Sequence, residues 1–359
     1  MDRRDFVLKH VTKAGRGIEI GPWVNPLAPK SEGYNCLILD VFDRDTLRQR
    51  ASEVPDFAPR VDAIEDVDLV GSSTHIDLLV AARGEAGMFD YVVSSHNFEH
   101  LANPIRFLQG CERVLKKDGV LSMAIPDHRG CFDIFRPVTR LSEWVDAFVE
   151  NRESPSIGQI FDDRWAYAHF HDNDGEKIAF PRNSPINKMF TSTAGLDGIL
   201  KEWTSKSRWA LEQYRDAHCS VFTPASFELL LRDAAYFGLV GFEVIDIRDT
   251  DGCEFYVHLR NNPSARDNPP RDYAAIRTEL FRRVKAEESE NQTSVVCDHL
   301  NHKIQALNDL LASKNIEIEE RKALIARMDS TINAIHNSNS WRATSPLRKI
   351  SITMRRLLG

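Results

Sequence analysis

The stretch FDYVVSSHNFEHLANP, Phe89 to Pro104, decides how the rest of the chain is read. Its centre, HNFEH, fits an H-x-x-E-H zinc pattern, with His96 and His100 as ligands and Glu99 as base. That pattern needs a helix of several turns, so that both imidazoles share a face and a third ligand can approach. Here an apolar, β-branched run leads straight into the motif, and Asn103-Pro104 follows almost at once. The residues therefore predict a buried strand, a short connection and a new helix. The histidines fall at the carboxyl end of a sheet, where open α/β folds bind their ligands. No metal is expected on this reading.

Working outward, short apolar runs alternate with helical patterns, the mark of a parallel sheet covered on both faces. The predicted strands are Gly17–Ile20, Cys36–Val41, Asp66–Val70, Phe89–Ser95 and Gly119–Pro126. In NPIRFLQGCERVLKKDG, Ile105, Leu108, Val114 and Leu115 keep a helical period, and Lys116, Lys117 and Gly119 close it. In TPASFELLLRDAAYFGL, Thr223 and Pro224 mark a helix start. GFEVIDIRDT and CEFYVHLRN then form a hairpin turning at Asp251-Gly252. The fold class is α/β, a parallel sheet finished by an antiparallel hairpin. The boundaries read as a core over 1–129, an insertion or substrate cap over 130–218 and a return of the core over 219–262. A polar, Pro-rich linker follows over 263–290, then a coiled coil over 291–336 and a basic amphipathic tail over 337–359. In the coiled-coil segment Leu300, Ile304, Leu307, Leu311, Ile318, Ile325, Met328, Ile332 and Ile335 fall on steps of four and three, with Lys314 and Arg321 at two seam positions.

Composition removes several classes of function. With 359 residues and 42% hydrophobic content the chain can fill a sizeable core, and a net charge of −7 gives no reason to expect nucleic acid as a partner. No apolar run reaches the roughly 18 residues of a membrane span, and MDRRDFVLKH has no signal-peptide core. The six cysteines form no C-x-x-C pair, so reduced thiols and a cytoplasmic address are expected.

The first strand runs into GIEIGPWVNPL. A dinucleotide loop needs G-x-G-x-x-G so that backbone N–H groups close on a pyrophosphate. Here Gly21 is followed by Pro22, which has no N–H, so a phosphate cradle would lack donors and an NAD-dependent enzyme is the weaker alternative. Glu19 suits a ligand with a cationic amino group and a sulfonium, and Gly21 lets the backbone approach closely, with Pro22 and Asn25 in the same loop. Asp40 ends the second strand, placed to accept hydrogen bonds from both hydroxyls of a ribose, or else to cap the turn. Gly71 and Ser72 follow the third strand, where an adenine edge would lie. Ser95, His96 and Phe98 are candidates for lining the same pocket. Glu99 and His100 face cofactor or substrate, unless His100 is a buried structural histidine. For a base, His100 comes first, then Asp127 or His128 at the end of the fifth strand. His169 and His171, in AHFHDND, form either a metal set or a solvated polar loop.

Taken together, GIEIGP, LILD and FDYVVSSHNFEHLANPIRFLQGCERVLKKDGVLSMAIPDHR resemble the class I S-adenosylmethionine-dependent methyltransferases. More narrowly, AIPDHRGCFDIFRP and HCSVFTPASFELLLRDAAYFGL resemble a bacterial methyltransferase-domain group whose fifth strand ends in V-P-D-K-R followed by F-D and R-P. The resemblance covers about residues 10 to 260. It implies a Rossmann-like sheet and S-adenosylmethionine as cofactor. The chain departs from the pattern at Gly21-Pro22-Trp23, in place of G-x-G, and at Gly71-Ser72-Ser73, where an acid often stands. In the tail, SNSWRATSPLR resembles a short element of bacterial cell-surface polysaccharide proteins. That points to a glycan or nucleotide-sugar acceptor, by association only. A homo-oligomer through the coiled coil is expected. Leu347, Ile350, Met354, Leu357 and Leu358 line one helical side with Arg348, Arg355 and Arg356 off it, a pattern suited to a membrane surface.

Overall fold

The computed structural model describes residues 2–193, 196–198, 201, 216–266, 270 and 272–358. Five parallel strands, β1 (Arg16–Ile20), β2 (Asn35–Asp40), β3 (Leu69–Val70), β4 (Phe89–Ser95) and β5 (Leu115–Pro126), form most of the central sheet. The small strands β6 (Ala168–Asp172), β7 (Gly175–Lys177) and β8 (Met189–Thr191) make a separate antiparallel sheet within the insertion. The hairpin β9 (Phe242–Asp251) and β10 (Glu254–Asn261) completes the central sheet, whose order is β3-β2-β1-β4-β5-β10-β9, with β10 antiparallel to β5. This is the mixed Rossmann-like sheet that the resemblance implies.

Alternation within the strands explains why both faces are covered. Val92, Leu121, Met123, Ile125, Phe255, Val257 and Leu259 point into the main core, whereas Tyr91, Val93, Ala124 and Tyr256 point to the other face. On the main face, helix α4 (Pro104–Val114) supplies Ile105, Phe107, Leu108 and Cys111. The short α1 (Arg3–Val7) covers the other face with Phe6 and Val7; α2 (Arg44–Ser52) and α3 (Ile76–Ala81) follow β2 and β3. Asn103 caps α4 by accepting from Arg106 N at 3.1 Å, with Pro104 next, so the Asn-Pro stop after HNFEH is a helix start. The helix ends at Val114, earlier than its lysines suggested, because Leu115 already pairs with Phe89 as strand.

Two segments differ from expectation. In the insertion, α5 (Leu141–Val149) places Trp144, 1% exposed, among Phe98, Phe222 and Phe227, so the core extends past residue 130. Helix α6 (Ile157–Trp165) follows. The linker predicted over 263–290 is largely helical: after α7 (Pro224–Tyr236) and the hairpin, α8 spans Tyr273–Asn337. Leu280 and Val284 pack on Ala225 and Leu229 of α7, and Arg277 and Arg283 pair with Asp233 and Glu228 at 2.8 and 2.9 Å. The four-residue spacing of Ile276, Leu280 and Val284 was hidden by the Pro- and Asn-rich residues just before it.

The chain divides into two compact units, 1–295 and 296–359. In the second, the heptad residues from Leu300 to Ile335 lie on helix and are exposed. The helices α9 (Asn339–Ala343) and α10 (Ser345–Leu358) follow. Ser338 caps α9, and the Arg348 guanidinium stacks on Trp341 at 3.6 Å while donating to Thr344 Oγ1 at 2.6 Å. The SNSWRATSPLR element is thus a folded corner.

Candidate cofactor cleft

Strand order reverses at β1, with β2 on one side and β4 on the other. Loops leaving these strands therefore diverge and open a crevice at their carboxyl ends. A cleft of about 410 Å³ lies there, lined by Ile20, Gly21, Trp23, Leu39, Asp40, Phe42, Leu47, Arg50, Ser73, Ser95, His96, Asn97, His100 and Asp216. A second hollow of about 320 Å³ shares Ile20, Gly21, Trp23, Ser95 and His96 and adds Glu19, Pro22, Asn25 and Arg3.

Gly21 has φ +59, and a Cβ there would meet nothing within 4 Å, so the backbone faces open space. Its N–H donates to Leu39 O at 2.9 Å. No α-helix follows β1; the next element is a 3-10 turn, Lys30–Glu32. The positive helix end that holds a pyrophosphate in dinucleotide folds is therefore missing from this loop.

Asp40, 8% exposed, keeps Oδ1 on Phe42 N at 3.1 Å and faces the cleft; burial raises its pKa. Glu19 behaves differently from the ligand-gripping acid expected. Its oxygens accept from Leu27 N and Ala28 N at 2.7 and 2.9 Å, so it orders the loop after Gly21. Burial pushes it up to about 7, against the pull of those two N–H groups.

His96 sits at φ +49, a strained conformation for a residue with a Cβ. Its ring lies between two acids, with Nε2 2.7 Å from Glu254 and Nδ1 3.6 Å from Glu99. Burial opposes protonation, but the carboxylates of Glu254 and Glu99 outweigh it and lift His96 to about 10. Arg3 and Tyr256 also bond Glu254, at 2.5 and 2.9 Å. His100 Nδ1 lies 2.8 Å from Asp216 Oδ1, and here too the carboxylates overcome burial, raising it to about 9. Glu99 is 1% exposed, and neither oxygen has a hydrogen-bond partner; His96 Nδ1 and His100 Nε2 stand 3.6 and 3.7 Å away.

Other predicted residues fall elsewhere. Phe98, 1% exposed, packs on Phe107, Trp144, Phe222 and Phe227 and belongs to the core. Gly71 and Ser72 shape the exit of β3: Gly71 N donates to Asp40 O, Ser72 caps the following turn, and Ser73 reaches the cleft instead. Asp127 and His128 are withdrawn as bases. Asp127 is fully buried, held by Arg129 Nη2 at 2.7 Å and Thr250 Oγ1 at 2.5 Å. Burial alone would raise it, yet Arg129 keeps it below the usual carboxylate range. His128 is 7% exposed, and burial lowers its pKa. In AHFHDND, most of which is strand β6, Glu176 lies 2.5 Å from His169 Nδ1 and Lys177 takes Asp172 and Asp174, and among the described residues no metal set gathers there. Sequence reading missed the wall of Trp23, Phe42, Leu47 and Arg50, and it missed Asn97, Asp216 and His218. The last two come from a remote segment and carry no local signal.

A family model described as a methyltransferase domain matches residues 69–123, from β3 into β5. No curated protein matches. Among solved structures, the chain is similar to the PH0226 protein of Pyrococcus horikoshii OT3 at 13% identity, covering 71% of this chain and 85% of that one, with a TM-score of 0.35. It is also similar to a possible histamine N-methyltransferase of Thermotoga maritima (14%, 72% and 87%, 0.34) and to an S-adenosylmethionine-dependent methyltransferase of Methanosarcina mazei (12%, 73% and 99%, 0.34). The fold rests on strand order and connection, not on these scores. The segment from β3 into β5 carries the signature of a methyltransferase domain.

Proposed function

We propose that this methyltransferase places the methyl group of S-adenosylmethionine on a hydroxyl of a sugar, in a bacterial surface glycan or its precursor. The observation that carries the reading is the cleft at the ends of β1, β2 and β4. Its β2 side is apolar with one carboxylate, and its β4 side is polar.

The residues present suit the cofactor. Asp40 would accept from the ribose hydroxyls, and Ile20, Leu39, Phe42 and Leu47 would enclose the adenine. The open backbone at Gly21 would admit the methionine end, on a loop fastened by Glu19. When bound, S-adenosylmethionine supplies a methyl group already activated by its sulfonium. What remains for the protein is alignment, worth roughly 7–11 kcal/mol in favourable cases. Ser73, Asn97, His100 and Asp216 offer donors and acceptors for a polyol, and His100, which lines the cleft where Asp127 and His128 do not, is the proposed base, acting from its neutral form. The tail corner supports the glycan by its likeness to elements of surface-polysaccharide proteins.

The test is release of S-adenosylhomocysteine from a panel of nucleotide sugars and lipid-linked glycans. Turnover of a sugar hydroxyl is expected. Turnover restricted to amines or thiols would refute the acceptor class, and none with any acceptor would favour a catalytically inactive scaffold. Stabilisation by NAD in a thermal-shift assay would restore the oxidoreductase reading, which the Gly21-Pro22 loop and the missing helix disfavour.

The exposed heptad stripe of α8 supports a homo-oligomer joined by a coiled coil. Among the described residues no helix is long and apolar enough to cross a membrane. The exposed Leu347, Ile350, Met354 and Leu357 of α10, beside its arginines, favour peripheral contact with an anionic surface. Liposome flotation with and without residues 337–359 tests it, and equal recovery would reject it. No nucleic acid partner is proposed, and a cytoplasmic address fits this reading.

A further inference from the structure

The HNFEH motif leaves one feature unexplained. Glu99 is buried with both carboxylate oxygens lacking a hydrogen-bond donor. Such a group costs several kcal/mol unless a cation compensates it. His96 gives its Nε2 to Glu254 and keeps Nδ1 at 3.6 Å from Glu99, too far for a hydrogen bond. Two other imidazoles converge on Glu99 instead: His100, and His218 from the segment before α7. The His100 and His218 rings meet edge to face, with centroids 4.7 Å apart.

We propose that Glu99, His100 and His218 bind a divalent transition-metal ion, with Zn²⁺ the best match to two imidazoles and one carboxylate. One ligand atom from each lies within 4.8 Å of the other two. Around zinc, ligands about 2.1 Å from the ion stand about 3.4 Å apart in a tetrahedron, so modest side-chain rotations close the set. Two nitrogens and one carboxylate is also the ligand number of catalytic zinc sites, which keep a further position open. The nitrogen-rich set disfavours Mg²⁺ and Ca²⁺.

The surroundings are built as a metal site requires. His218 Nδ1 bonds Asp133, and His100 Nδ1 faces Asp216, so Nε2 of each ring is the atom left for a ligand bond. A carboxylate behind a ligating histidine is the usual device for fixing its tautomer and orientation. Asp133 is itself braced by Arg136 at 2.7 Å. The backbone holds the halves together: Cys219 N and Ser220 N both donate to Glu99 O, at 2.7 and 3.1 Å, and His218 N donates to Asp163 at 3.0 Å. This set is not the His96–His100 pair of the linear zinc pattern, because the third ligand arrives from a distant segment. His100 and Asp216 also line the cleft, so the proposed site adjoins it. Any role in activating an acceptor rests on the methyl-transfer reading; the binding itself does not.

The experiment treats full-length protein with chelator, then titrates Co²⁺ as a coloured probe and displaces it with Zn²⁺. One Co²⁺ per chain, with ligand-field absorption that Zn²⁺ abolishes, is expected. His100→Ala and His218→Ala should each weaken binding more than 100-fold with unchanged circular dichroism. Should His218→Ala fail to fold, His100→Ala carries the test, since that side chain is 27% exposed. Asp216→Asn, on a largely exposed residue, should weaken binding about tenfold. No stoichiometric uptake, or binding that survives His100→Ala, including binding removed by His171→Ala, overturns the proposal. Metal uptake without S-adenosylhomocysteine release sinks the acceptor reading alone. Turnover by metal-free protein that takes up no Co²⁺ sinks the metal site alone.

Discussion

Replacing Asp40 tests the cofactor cleft most directly. Asp40 ends β2, is 8% exposed, and holds its turn by accepting from the backbone, from Phe42 N at 3.1 Å among others. Its carboxylate retains acceptor capacity toward two ribose hydroxyls, and hydrogen bonds to a charged group contribute about 1.5–3 kcal/mol each. The desolvated partners left behind partly find water, so Asp40→Ala should lose about 2–4 kcal/mol in all, or about 30- to 800-fold in Kd. Calorimetric titration with S-adenosylmethionine and S-adenosylhomocysteine reads this out. Asp40→Asn keeps an acceptor for Phe42 N while removing the charge, so its loss should be smaller. The melting temperature of each variant controls for damage to the turn. If Asp40→Ala binds both ligands as tightly as wild type, the cofactor is not held at the end of β2.

Gly130→Ala would place a Cβ 2.8 Å from Phe180 O and 2.9 Å from Cys253 Cα, both backbone atoms that cannot swing aside. A loss of about 1–3 kcal/mol is expected in denaturant unfolding, and wild-type stability would contradict this packing. Glu254 is held down to about 2 because, against burial, His96 and Arg3 bond its charged form. A depressed carboxylate stabilises the fold above its unfolded pKa of 4.5, and that contribution fades as pH falls from 4.5 toward 2. With partners about 40% exposed, about 1 kcal/mol is at stake, so Glu254→Gln should flatten acid unfolding in that window. Leu311→Lys with Ile325→Lys should dissociate the oligomer in sedimentation equilibrium; a monomeric wild type would refute the seam.

Much of the scaffold was legible because strands buried on both faces leave contiguous apolar runs. FDYVVSS is β4 residue for residue, and Thr223-Pro224 opens α7 where a capping hydroxyl and a proline without N–H belong. Where local signals compete, reading failed. Leu115 to Asp118 looked helical by their lysines, yet they extend β5 because Leu115 pairs with Phe89. Asp127 and His128, at a strand end, were candidate bases, yet Arg129 and Thr250 close over the carboxylate. Phe98 looked like a pocket wall and is a core ring.

By itself the sequence determined the α/β alternation, the place of the cleft at the strand ends, the position of Asp40 and the long C-terminal helix. These follow from periodicity, capping and chain reversal, which are local. Only the tertiary structure decided what each polar side chain faces. It gave Glu19 to a loop, His96 to Glu254, and His100 to Glu99, Asp216 and His218. A burial cost does not show in sequence spacing, because its compensation comes from residues far away along the chain.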